Sequence, residues 1–121
     1  MRRRSFLLLT SLALGACLSP TLPVPPPEAP GDVGLGADGL WELRGRCTPG
    51  AVVLVRNLDT GVITGVEDRD ANGSYFIRVA GELCARAEVW ELIGDDVSGA
   101  TFFLLEPKVN GLATGECAIP G

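Results

Sequence analysis

From residue 40 onward, apolar and polar positions alternate in short runs, and each run is closed by Gly, Asn or Asp. In Leu40–Arg46, Trp41 and Leu43 share a face. Ala51–Asn57 is β-branched and almost continuously apolar, as in a central strand. Asp59-Thr60-Gly61 predicts a tight turn into Val62–Glu67, so these two runs read as a hairpin. After Asp70-Ala71-Asn72-Gly73 comes Ser74–Val79, in which Tyr75, Ile77 and Val79 share one face and Phe76 and Arg78 the other. The Tyr-Ile-Val face is expected to be buried. Gly81 marks the next turn, before Cys84–Leu92, and Gly94-Asp95-Asp96 turns the chain into Ser98–Glu106, whose apolar centre is Phe102 to Leu105 and which Pro107 ends. About six to seven short strands with turns every 8 to 12 residues, and no helical period, predict an all-β, antiparallel β-sandwich over residues 37–121.

Upstream the pattern differs. Residues 18–36 carry prolines at 20, 23, 25, 26, 27 and 30, which fix φ and remove amide donors. This segment, with Cys17, is expected to be a semi-extended stalk and not an internal strand. Before it, Arg2-Arg3-Arg4 precedes the apolar run Phe6–Leu14, too short for a spanning helix, which needs about 20 apolar residues. A basic end, a short apolar core and small residues form a secretory signal. With Leu14-Gly15-Ala16-Cys17 at its end, it resembles a bacterial lipoprotein signal. The resemblance implies cleavage after residue 16 and acylation of Cys17 with a diacylglycerol and a further chain such as palmitate. Two or more chains suffice for stable membrane attachment. Leu18 lacks the acidic character associated with inner-membrane retention, so the expected location is the outer membrane of a bacterial envelope.

Within the domain, Gly45, Pro49–Val55, Thr60-Gly61, Asp70–Phe76, and Gly94 followed by Ser98 resemble the immunoglobulin-like, carboxypeptidase-regulatory or transthyretin-like modules of bacterial surface proteins. These are turn and core positions, so the resemblance implies a fold and carries almost nothing about function.

Charge and composition narrow the function classes. Removing Arg2–Arg4 with the signal leaves 7 basic residues against 15 acidic ones, a formal −8. That balance argues against nucleic acid and against an anionic membrane surface as direct partner. Histidine is absent, which excludes Ser-His-Asp and Cys-His chemistry and histidine-based zinc sites. No cofactor is implied and no enzyme is expected. Glu88 and Glu91, the nearest thing to a carboxylate pair, point to opposite faces of a regular strand.

Three cysteines remain once Cys17 is lipidated. If successive strands run up and down, Cys84 and the end of the last strand meet at one end of the sandwich, so Cys84–Cys117 needs least chain. The ten-residue tail can also reach Cys47. The leftover thiol is either a buried, inert cysteine or an intermolecular disulfide. Asp68, Asp70 and Asn72 match the start of a calcium loop, but the bidentate acid falls on Val79. Asn72-Gly73 reads instead as a hairpin turn with positive φ. A sandwich-type site completed by Asp95 or Asp96 is the calcium-dependent alternative. Trp41 and Trp90 are the candidate contact aromatics, with at least one of them expected in the core. The expected function is a membrane-anchored, non-catalytic binding or structural module for an envelope protein or extracellular polysaccharide. The alternative is an accessory subunit that positions a secreted enzyme or envelope machine.

Overall fold

The computed structural model describes residues 23–117; the residues expected to form a lipoprotein signal, and Cys17, lie outside them. Two antiparallel sheets face each other. The first has the order β10-β9-β1-β2-β5, built from β1 (Asp32–Leu35), β2 (Trp41–Arg46), β5 (Ser74–Val79), β9 (Lys108–Val109) and β10 (Leu112–Ala113). The second has the order β4-β3-β6-β7, from β3 (Val52–Asn57), β4 (Ile63–Glu67), β6 (Arg86–Ile93) and β7 (Asp96–Val97). β8 (Thr101–Leu104) pairs with β6 ahead of β7 along the same edge. This is the expected small β-sandwich, with β1, β7, β9 and β10 as short additions to the six principal strands.

Period-2 alternation sends one side of each strand inward. Trp41 and Leu43 of β2, Tyr75, Ile77 and Val79 of β5, Val53 and Val55 of β3, and Ala87 and Val89 of β6 form the buried core, closed by Phe103 and Leu105. Burying each large side chain contributes about 1.5–3 kcal/mol. The Tyr75-Ile77-Val79 face is buried as its alternation predicts.

The β3–β4 hairpin forms where Asp59-Thr60-Gly61 predicts it. Buried Asn57 organises it: its Oδ1 accepts from the Asp59 and Thr60 amides at 2.9 and 3.1 Å, and its Nδ2 donates to the Ala80 carbonyl at 3.1 Å.

Two expectations are corrected. The domain begins before residue 37. β1 lies between β9 and β2, with Val33 only 4% exposed, and Pro27 and Pro30 are buried against the sandwich. The Thr101 hydroxyl donates to the Pro27 carbonyl at 2.5 Å. Prolines exclude strand only where they stand, and after Pro30 every residue of the segment retains its amide donor. The Asp70–Gly73 turn is not a hairpin, because β4 belongs to the second sheet and β5 to the first. Positive φ falls on Ala71 (52°) and Gly73 (78°), not on Asn72.

Candidate binding face and the polar end of the sandwich

The same alternation that fills the core leaves the second sheet apolar on its outer side. Val52 and Leu54 of β3, Trp90 and Leu92 of β6, and Phe102 and Leu104 of β8 all point outward, and all are half-buried or exposed. Phe102 is 52% exposed; at the margins of the face Ile63 is 48% and Val97 63% exposed. Contiguous exposed apolar surface on this scale marks an interaction site in a soluble domain, whereas scattered single residues do not. Near-continuous apolar strands normally indicate a sheet covered on both sides. Here, among the described residues, no element covers the outer side.

The charges on this face are neutralised locally. The Arg56 guanidinium lies 3.4 Å from the Glu88 carboxylate, its cross-strand neighbour, and its centre lies 5.4 Å from the Trp90 ring centroid. Arg86 pairs with Asp59 at 2.9 Å, which holds the Asp59 carboxyl below its ordinary range, chiefly through the side-chain hydrogen bond.

Of the two candidate contact aromatics, only Trp90 belongs to this surface. Trp41 is 3% exposed, and its indole N–H donates to the Gly81 carbonyl at 2.8 Å. Its expected role as a contact is therefore corrected: parity with Leu43 places it in the core.

At one end of the sandwich a polar cluster gathers residues distant in sequence. Glu91, 1% exposed, accepts from the Thr48 amide (2.9 Å) and the Thr48 hydroxyl (2.6 Å). Asp68 accepts from the amides of Gly73 (2.8 Å), Gly50 (3.2 Å) and Asn72 (3.4 Å), and these bonds hold its carboxyl below the usual carboxylate range, the Gly73 bond most of all. Asn72 Oδ1 accepts from the amide and hydroxyl of Ser74 (3.0 and 2.8 Å). The oxygens of Asp68 and Asn72 thus organise the turn. Among the described residues no group of three or more His, Cys, Asp or Glu stands close enough to hold a metal ion, so Asp68, Asp70 and Asn72 do not converge with Asp95 or Asp96 as ligands.

Cys47 is the free thiol, half-buried beside Asp68 with its sulfur 4.0 Å from Asp68 Oδ2. Burial first, then the charges of Asp68 and Glu91, push it up to about 11, so it stays a thiol near neutrality and is a poor nucleophile. Two open grooves flank this end, of about 530 Å³ and 460 Å³, sharing Arg44, Gly45, Asn72 and Ser74. The Arg44 guanidinium that separates them is laid over the Phe76 ring, 4.3 Å from its centroid.

At the opposite end Cys84 and Cys117 form the expected disulfide, with Cα atoms 5.3 Å apart. It ties the tail carrying β9 and β10 to the start of β6.

From the sequence Glu91 entered only as half of a carboxylate pair split between two faces, and the outer face was not singled out. The signal was available in parity: Glu91 shares a side with Ala87 and Val89, and Trp90 shares the other with Glu88 and Leu92. Comparison with protein-family models, with curated proteins and with solved structures gave no match.

Proposed function

We propose that this chain is a bacterial surface lipoprotein, acylated at Cys17 and held in the outer membrane, whose β-sandwich is a non-catalytic module that binds through the outer face of the second sheet. Its place among immunoglobulin-like or carboxypeptidase-regulatory-like surface modules belongs to the same reading. The observation that carries it is the apolar face around Trp90, solvent-exposed although its strands have the composition of a doubly covered sheet. Such a face gains from being covered by about 25 cal/mol for each Å² of apolar surface removed from water. It carries few hydrogen-bonding side chains, which favours a protein surface over a polysaccharide, whose recognition needs convergent polar groups. An accessory or positioning role is this reading with a particular partner supplied.

The test is photo-cross-linking in intact producing cells, with a benzophenone side chain at Phe102 and, as control, at Arg78 on the outer side of the first sheet. Adducts at 102 and none at 78 support the binding face. Equal labelling at both positions, or none at either, overturns it. Intact-mass analysis of the membrane-extracted chain tests the anchor: a mature chain starting after Cys17 without lipid removes it.

A further inference from the structure

The register at the centre of the exposed face is palindromic. At one level along the strands the outward residues read Ile63, Arg56, Glu88, Phe102 across β4, β3, β6 and β8. One step along, Leu54 of β3 stands beside Trp90 of β6, and one step further Val52 stands beside Leu92. The first level is therefore apolar-plus-minus-apolar and the two middle columns of the next two are apolar, arranged about the line between β3 and β6, while β4 adds only Gly65 and, at the margin, Glu67 to those two levels.

Resting on the binding-face reading, we infer that the partner is a second copy of this chain, related by a two-fold axis that runs along the strands between β3 and β6. Rotation about that line exchanges the two middle columns while preserving height. Arg56 of each copy then lies over Glu88 of the other, Leu54 over Trp90, and Ile63 over Phe102. Aligned sheets packed about 10 Å apart do this with the usual tilt of about 30°. The isologous arrangement needs one surface that complements itself, and Arg56 with Glu88 supplies the charge complementarity. A heterologous partner would need the inverse pattern by coincidence. An axis parallel to the strands also leaves both Pro27 segments at the same end, as two chains anchored in one membrane require.

Electrostatics selects this face for the approach. The chain that cleavage would leave carries 15 acidic residues against 7 basic, so two copies repel overall, whereas Arg56 with Glu88, Arg86 with Asp59 and the marginal Glu67 with Arg69 are each paired on this face. The area is modest: four strands at about 4.8 Å spacing and six residues at about 3.4 Å give roughly 19 by 20 Å. Two such faces bury roughly 760 Å², below the roughly 1,200–2,000 Å² of standard interfaces and in the range of weak, transient pairs. The pair is therefore concentration-dependent, helped by confinement of both copies to one membrane.

The experiment uses the full chain in producing cells, carrying two different affinity tags on two copies and a benzophenone side chain at Ile63. The expected product is a chain-to-chain adduct mapping to residues 101–104 of the other copy. Arg56→Glu alone and Glu88→Arg alone each place like charges across the axis, and each is expected to reduce the self-adduct at least tenfold. Coexpressing the two variants restores opposite charges across the axis, so the adduct between differently tagged chains returns. An ion pair acting only within one chain is not rescued by mixing. Adducts from 63 and 102 that contain a different protein overturn the second-copy inference and leave the binding face standing. No adduct at either position overturns both. A self-adduct unchanged in the single variants overturns the proposed axis. The mapped adduct of the unsubstituted chain decides the matter even if a charge variant fails to fold.

Discussion

Gly45 stands directly opposite Tyr75 in the β2–β5 ladder, and the tyrosine ring fills the space that a side chain at 45 would occupy. A Cβ built there meets the Tyr75 hydroxyl at 2.5 Å and Cζ at 2.6 Å. The ring is held in the core and its hydroxyl is buried without a hydrogen-bond partner among the described residues, so burial drives the phenol well above its ordinary ionisation range.

Gly45→Ala is therefore expected to destabilise the domain by about 1–3 kcal/mol through overpacking, read as a fall in Tm of several degrees. Tyr75→Phe removes an unpartnered buried hydroxyl and is expected to be neutral or stabilising. The double variant recovers part of the Gly45→Ala loss, because the nearest clashing atom has gone while Cζ stays. Purely additive effects in a thermal double-mutant cycle would contradict this contact.

Loss of the Cys84–Cys117 bridge, which spans a sequence separation of 33, is expected to lower stability by about 3–4 kcal/mol on the loop-closure account. The Cys84→Ser/Cys117→Ser chain should unfold at correspondingly lower denaturant with native-like strand content below the transition. An unchanged midpoint would mean that the tail docks independently of its disulfide.

Cys47 should react slowly while the protein is folded. With its ionisation pushed up to about 11, only about 0.1% is thiolate at pH 8, against at least a tenth for an ordinary thiol. Alkylation at pH 8 is expected to be about 100-fold slower in buffer than in denaturant, with no reducible dimer on electrophoresis. Fast labelling of the native chain, or a Cys47-linked dimer, would reverse this picture.

Asp68 makes stability depend on acid. Its folded pKa lies below the unfolded value of about 3.9, so the fold binds protons less readily than the unfolded chain. The stabilisation is complete above the unfolded value and is lost as pH falls through the folded one. Asp68→Asn presents an amide to the N–H donors of Gly73 and Gly50, so its Tm is expected to be lower at pH 7. The gap to the parent chain should narrow below about pH 4. Asp59, depressed by Arg86, has the same sign, and the difference between variant and parent isolates Asp68. A gap that does not change with pH would assign Asp68 a role without charge.

Local pattern made the fold legible. Tyr75, Ile77 and Val79 announced their side by alternation, Asp59-Thr60-Gly61 announced the β3–β4 turn, and Cys84–Cys117 followed from which strand ends share an end of the sandwich. Where the sequence misled, a correct local rule was extended too far. The prolines up to Pro30 do exclude strand, yet Val33 just beyond them is buried in β1. Asn72-Gly73 is turn chemistry, but whether a turn joins neighbours in one sheet or crosses between two is set by which strands pair, and pairing is non-local.

The candidate site shows the same division. That Trp90 and Leu54 each point opposite to their core-facing neighbours is a property of a strand's period and could be read from the residues alone. That Leu54 stands beside Trp90, Arg56 beside Glu88 and Ile63 beside Arg56 depends on the register of strands whose paired residues here lie up to 36 apart in the sequence (90 − 54). Strand period is set by backbone geometry within a few residues, so the sequence by itself determined the two-faced strands, the turns and the excess of acidic over basic residues. Register is set by the joint packing of all the strands, so only the tertiary structure decided that one apolar face lies uncovered among the described residues, with Leu54 beside Trp90 and Arg56 beside Glu88 at its centre.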